Sequence, residues 1–159
     1  MVSAFVGLGS NLGEPAAEIE RAIAALRELQ DSRLVARSSL YRTAPWGGIV
    51  QPDFINAVAA LDTALPAKVL MAELLAIERR LGRRRDVERY GPRVIDLDLL
   101  TYGDDIIDEP GLRVPHPHLH ERAFVLVPLA EIAPAAWIPQ RGSVAAALAA
   151  VDGTDCTRL

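Results

Sequence analysis

Two aspartates one residue apart, Asp96 and Asp98, follow directly on a dense run of arginines. These are the residues whose types and spacing point most directly to chemistry. Seven of the 17 Lys+Arg residues fall between Arg79 and Arg93. On an extended strand, carboxylates at i and i+2 point to the same face and together can hold Mg²⁺. Guanidinium groups hold phosphate oxygens through paired N–H donors. Side by side, the two describe a site for a metal-bound polyphosphate. The plainer alternative is an acidic strand face in solvent and a solvated helix end, with Asp86 and Glu88 as ion-pair partners. Against it, the strand is otherwise apolar (Val94, Ile95, Leu97, Leu99, Leu100), and Gly91-Pro92 tightens the loop that delivers Arg93. From the residues alone both readings stay open.

Other polar residues are less telling. His116, His118 and His120 lie in a stretch held extended by Pro115 and Pro117, with no cysteine or third close ligand to complete a zinc pattern. His116 reads as a donor to phosphate, and His118 and His120 as surface residues. Glycines 7, 9 and 13 miss the G-x-G-x-x-G spacing, so residues 9–13 read as a plain turn into a helix. No G-x-x-x-x-G-K-[ST] occurs, and Ser10, Ser38 and Ser39 show no nucleophile elbow. Asn56 stands out in an apolar run, either to satisfy nearby backbone or to read the edge of a planar heterocycle. Trp46 reads as a core anchor by default, with a ligand cover as the alternative.

The elements that must position these residues follow from periodicity. Strands are expected over residues 2–8, 33–41, 54–61 and 94–102. Pro15 opens a helix to about residue 29 with Ile19, Ile23 and Leu26 on one face. Pro66 opens a second, with Leu70, Leu74, Ile77 and Leu81 recurring and Gly82 as its stop. A turn at 103–105 leads to a short returning strand at Ile106 and Ile107. A third helical segment spans 121–132, bent or interrupted by Pro128, and a terminal helix spans 143–151. The order βαββαβ with C-terminal additions predicts an α+β, ferredoxin-like fold: an antiparallel sheet with helices on one face. The 159 residues suit one domain, 1–159.

Composition narrows the class. The formal net charge of −4, with arginines clustered locally, argues against a nucleic-acid binder. No apolar run reaches the length of a membrane span, and the N-terminus lacks a signal-peptide pattern. The single Cys156 excludes an internal disulfide. Together these lead to the expectation of a soluble, cytoplasmic protein.

The run from Arg89 to Leu100, RYGPRVIDLDLL, resembles the signature of the 6-hydroxymethyl-7,8-dihydropterin pyrophosphokinase family of folate biosynthesis. Gly9-Ser10-Asn11-Leu12-Gly13, Tyr41-Arg42-Thr43-Ala44-Pro45, Gln51 to Asn56, Val114-Pro115-His116 and Arg122-Ala123-Phe124-Val125 follow in the family's order and spacing. The resemblance implies a ferredoxin-like enzyme that moves pyrophosphate from ATP to the pterin hydroxymethyl group and releases AMP. It implies two Mg²⁺ ions on Asp96 and Asp98, with Arg83 and Arg93 also catalytic. ATP would meet Arg83, Arg85, Arg93, His116 and Arg122, with Glu78 and Leu99 near the nucleotide. The pterin would lie between Phe54 and Phe124, read by Asn56, with further contacts from Thr43, Ala44, Pro45 and Trp46. A monomer is expected. Departures are Asp86 for a lysine, Tyr90 for a tryptophan, Phe54 for a tyrosine and Ala44 for a proline found in other members. A single-phosphoryl kinase and a non-catalytic nucleotide-binding module remain as rivals; the trio Phe54, Asn56 and Phe124 argues against the latter.

Overall fold

Residues 1–45, 50–82 and 94–159 are described by the computed structural model. Trp46, Arg83, Arg85 and Arg93, for which site roles are expected, lie outside the described residues, as do Asp86 and Tyr90.

The first strand, β1 (Val2–Ser10), turns Ala4, Val6 and Leu8 to one face, where they are buried, while Phe5, Gly7 and Gly9 look to the other. Helix α1 (Pro15–Arg27) starts on its proline and buries Ile19, Ala22, Ile23 and Leu26 against the first face. The strand expected over 33–41 is two strands, β2 (Ser32–Arg37) and β3 (Tyr41–Thr43). Both pair with the same long strand, β4 (Phe54–Thr63), β2 along its far end and β3 along Phe54 to Asn56. Between them Ser38 bonds to β4 by its backbone, donating from N to Val58 O, while its hydroxyl accepts from Val58 N. That local detour is what breaks the strand.

Helix α2 (Ala67–Arg80) follows Pro66 and buries Leu70, Leu74 and Ile77 beside α1. It ends where Gly82 takes φ +91, a left-handed value that glycine adopts without strain. Strand β5 (Asp96–Tyr102) pairs with β1, and β1 with β4, all antiparallel. Among these strands the order is β5-β1-β4-β2, which is the ferredoxin-like arrangement with α1 and α2 on one face.

The C-terminal additions divide: the first packs with the helical core through Leu112 and Val114, and the rest use the other face. A two-stranded ribbon, β6 (Ile107–Glu109) and β7 (Leu112–Val114), leads back to the sheet, so the expected returning strand pairs outside it. A 3-10 turn at Leu119–Glu121 precedes α3 (Ala123–Ile132), which runs unbroken through Pro128. The proline forgoes only the hydrogen bond to Phe124 O, near the helix start. A hairpin of β8 (Trp137–Ile138) and β9 (Gly142–Ser143) leads into α4 (Val144–Ala149), capped by Ser143 Oγ accepting from Ala146 N at 3.1 Å. A last strand, β10 (Thr157–Arg158), pairs with β3. Leu126, Leu129, Ile138 and Val144 form a second apolar cluster with Val58 and Leu100 of the sheet. These additions cover only part of that face. Among the described residues no helix is long and apolar enough to cross a membrane.

Candidate active site

The uncovered part of the second face is the floor of a cavity of about 350 Å³. Its centre is glycine. Gly9 stands opposite Asn56 on one side and Asp96 on the other, and Gly7 stands opposite Val58 and Asp98. A side chain here would fill the floor: a Cβ on Gly9 would come within 2.8 Å of Asn56 Oδ1, and one on Gly7 within 3.4 Å of Leu100. The glycines therefore belong to the strand and the site as much as to the turn beyond them. In that turn Ser10 and Asn11 are buried. Ser10 Oγ donates to Val94 O, and Asn11 Nδ2 donates to Gln51 Oε1 at 2.8 Å and Pro52 O at 3.0 Å. The turn read as plain thus ties together three chain segments.

Asp96 and Asp98 are half-buried on the cavity side of β5, while Leu97 and Leu99 between and beyond them are 1% and 3% exposed on the helical side. Among the described residues no group of three or more His, Cys, Asp and Glu converges. Two carboxylates on one strand face give oxygen donors only, which suits a hard divalent cation that keeps its remaining positions for phosphate and water. A closed structural metal site would need more protein ligands.

The walls come from four other segments. Thr43 ends β3 and Ala44 follows it, and Phe54 and Asn56 begin β4, where Asn56 Nδ2 donates to Thr43 Oγ1 at 2.6 Å. Phe124 and Val125 open α3, and the Arg122 guanidinium lies 5.4 Å from the centroid of the Phe124 ring. That cation–π contact holds a positive charge beside an aromatic wall.

His116 sits between the walls. Its backbone N donates to Leu100 O at 2.8 Å, which docks the extended segment onto β5. Its Nδ1 accepts from His118 N at 3.1 Å, so the neutral ring carries its proton on Nε2. Burial, followed by the charges of Arg122 and His118, lowers its pKa to about 4. Near neutral pH it is an uncharged N–H donor in the wall of a polar cavity.

Nine expected site residues therefore meet at one cavity: Thr43, Ala44, Phe54, Asn56, Asp96, Asp98, His116, Arg122 and Phe124. Pro45 is half-buried beside it and does not line it. Glu78 and Leu99 are not brought there. Leu99 packs in the helical core, and Glu78, 2% exposed on α2, accepts from Leu97 N at 2.7 Å. Its carboxylate satisfies a backbone donor of β5 and so fixes the strand that carries the aspartates.

The cavity also uses residues that sequence reasoning passed over. His118 lines it rather than standing on the surface. So does Arg113, exposed between buried Leu112 and Val114 on β7, with Nε donating to Asp108 Oδ1 at 3.0 Å. The alternation Leu-Arg-Val was the available signal for Arg113, and small residues at i and i+2 of an apolar strand were the signal for Gly7 and Gly9.

Residues 5–134 match the family model described as 7,8-dihydro-6-hydroxymethylpterin-pyrophosphokinase (HPPK). The chain is 50% identical over 135 residues to the 2-amino-4-hydroxy-6-hydroxymethyldihydropteridine pyrophosphokinase of Pseudomonas aeruginosa, covering 85% of this chain and 83% of that protein. It is 49% identical over 134 residues to the enzyme of the same name from Methylorubrum extorquens, covering 84% of each. A crystal structure of Plasmodium falciparum HPPK-DHPS with pteroate superposes with a TM-score of 0.73 at 14% identity, which speaks to the fold. That match takes in 94% of this chain, which spans only 42% of the longer Plasmodium chain.

Proposed function

The chain belongs to the 7,8-dihydro-6-hydroxymethylpterin-pyrophosphokinase family, and we propose that the cavity on the second face of its sheet is where the family's reaction takes place. The reaction is pyrophosphoryl transfer from ATP to hydroxymethyldihydropterin in folate biosynthesis. The pterin hydroxyl attacks the β-phosphorus of ATP, the bond from that phosphorus to the α-phosphate oxygen breaks, and AMP leaves. The observation that carries the placement is the convergence of Asp96 and Asp98 with Phe54, Asn56, Phe124, His116 and Arg122 around one volume.

In this reading the work divides along the floor. Asp96 and Asp98 would hold two Mg²⁺ ions, which would supply neutralisation of phosphate charge. His116 donates from Nε2 to a phosphate oxygen. Arg122, held against Phe124, lies within the same cavity wall and places its charge near the transferred group. Phe54 and Phe124 supply aromatic faces for the pterin ring, and Asn56 supplies its polar edge contact. Arg83, Arg85 and Arg93 complete the phosphate contacts, with Ala44, Pro45 and Trp46 on the pterin side. No side chain is assigned as general base, because positioning and charge neutralisation supply most of the catalysis in phosphoryl transfer. The reading includes a single domain over residues 1–159, in keeping with two apolar clusters built on one sheet.

The test is to separate nucleotide products after mixing the protein with ATP, Mg²⁺ and 6-hydroxymethyl-7,8-dihydropterin. AMP that forms only with pterin, and is lost in folded Asp98→Ala, is the expected result. ADP as product, or AMP formation undiminished in Asp98→Ala, would refute the placement.

A further inference from the structure

We infer that Thr43 is a positioning residue: its hydroxyl and Gly9 together lock the side-chain amide of Asn56 so that the carbonyl end serves the heterocycle. This rests on the reading of the cavity as the pterin site.

The two ends of an asparagine amide are nearly alike in shape and opposite in chemistry. Which end faces a ligand decides which ligand is accepted. Asn56 is 6% exposed and flanked by Ile55 and Ala57, so its polar atoms need partners close by. Nδ2 donates to Thr43 Oγ1 at 2.6 Å, across neighbouring strands in which Tyr41 pairs with Asn56 and Thr43 with Phe54. A hydroxyl can give or accept a hydrogen bond, so Thr43 alone would tolerate either end of the amide.

Gly9 removes that freedom. It pairs with Asn56 across β1 and β4, and the place its Cβ would take is 2.8 Å from Oδ1. An oxygen can rest there against a Cα hydrogen as a weak C–H···O contact. An NH₂ in the same place would press its hydrogens against the Cα hydrogens with no acceptor to meet them. Thr43 takes the nitrogen, Gly9 admits the oxygen, and the acceptor is left for the ligand. An acceptor held in this way favours a heterocycle with a ring lactam N–H, as in a 2-amino-4-oxo pteridine. It disfavours a 2,4-diamino pteridine, which carries a bare ring nitrogen at that edge.

The experiment compares wild type, Thr43→Ser, Thr43→Val and Gly9→Ala. It measures pterin KM, ATP KM, kcat and Tm, with calorimetric Kd values for the 2-amino-4-oxo and 2,4-diamino 6-hydroxymethyl pteridines. Thr43→Val is expected to raise the pterin KM about tenfold, the scale of one hydrogen bond to a buried polar group. ATP KM should hold, Tm should fall by a few degrees because the buried amide loses its partner, and the preference for the oxo compound should fall severalfold. Thr43→Ser should restore both pterin affinity and preference. Gly9→Ala should lower the preference by displacing Oδ1, and it carries the test if Thr43→Val does not fold. An unchanged pterin KM in Thr43→Val, or weaker binding with the preference intact, would show that Thr43 only packs. Failure of the wild type to make AMP with pterin is a separate outcome, and it would overturn the site reading itself.

Discussion

The two faces of one sheet are built from the same strands and could hardly differ more. On the helical face, Ala4, Val6, Leu8, Ala57, Ala59, Leu61, Leu97 and Leu99 close against α1 and α2, all below 4% exposed. On the other face, the same strands present Gly7, Gly9, Asn56, Asp96 and Asp98 to a cavity. The period of two in a strand makes this possible, because a residue and its neighbour answer to different layers. Apolar burial on one face stabilises the sheet, and that leaves the other face free to carry glycines and half-buried carboxylates, which add little to stability.

Substitutions on β5 can break that comparison most directly. Asp98→Ala should cut kcat by about a thousandfold, the scale of losing one preorganised electrostatic contact, and should leave Tm near wild type. Product chromatography and a thermal melt on the same sample check both halves. Next in size, Leu97→Ala faces the opposite way and should do the reverse. It should destabilise by about 3 kcal/mol, seen as a fall in Tm of roughly 10 °C, with kcat of the folded protein retained. If both variants lost activity and stability together, the division between faces would be wrong.

Glu78→Ala tests the link between them. It removes the acceptor for Leu97 N and should cost about 2 kcal/mol in denaturant unfolding, whereas Glu78→Gln, which still accepts, should cost less. A pH titration of stability then addresses the cavity wall. The folded pKa of His116, about 4, lies below its ordinary 6.5, so the unfolded chain binds more protons between those values. Its contribution is complete above pH 6.5 and is lost as pH falls towards 4. His116→Gln should flatten that part of the unfolding curve, and an identical slope in wild type and variant would remove the assignment. The smallest effect belongs to Arg113→Ala. Its exposed pair with Asp108 should matter little to stability, below about 1 kcal/mol. ATP KM should rise a few-fold at low salt, with the difference shrinking as salt is added.

Much of this was legible because it is local. The i, i+4, i+7 pattern of Ile19, Ile23 and Leu26 needs only a helix to make a face, and the alternation around Asp96 and Asp98 needs only a strand. Pro15 and Gly82 punctuate through their own backbone preferences. The break between β2 and β3 was not legible, since Ser38 leaves the strand to bond a residue 20 positions away. The same holds for Glu78. Its buried carboxylate is explained by a backbone N–H on β5, and sequence spacing does not say which strand a helix will reach.

The sequence by itself determined the order of the βαββαβ core, the antiparallel ferredoxin-like class, and the residue types a metal-phosphate and heterocycle site would need. Only the tertiary structure decided that Gly7 and Gly9 are its floor, that Arg113 and His118 join its wall, and that Leu99 and Glu78 lie behind it. The physical reason is range. Propensity and periodicity act over a few residues along the chain, while a cavity is what remains when α3 and α4 cover one part of a sheet face and not another.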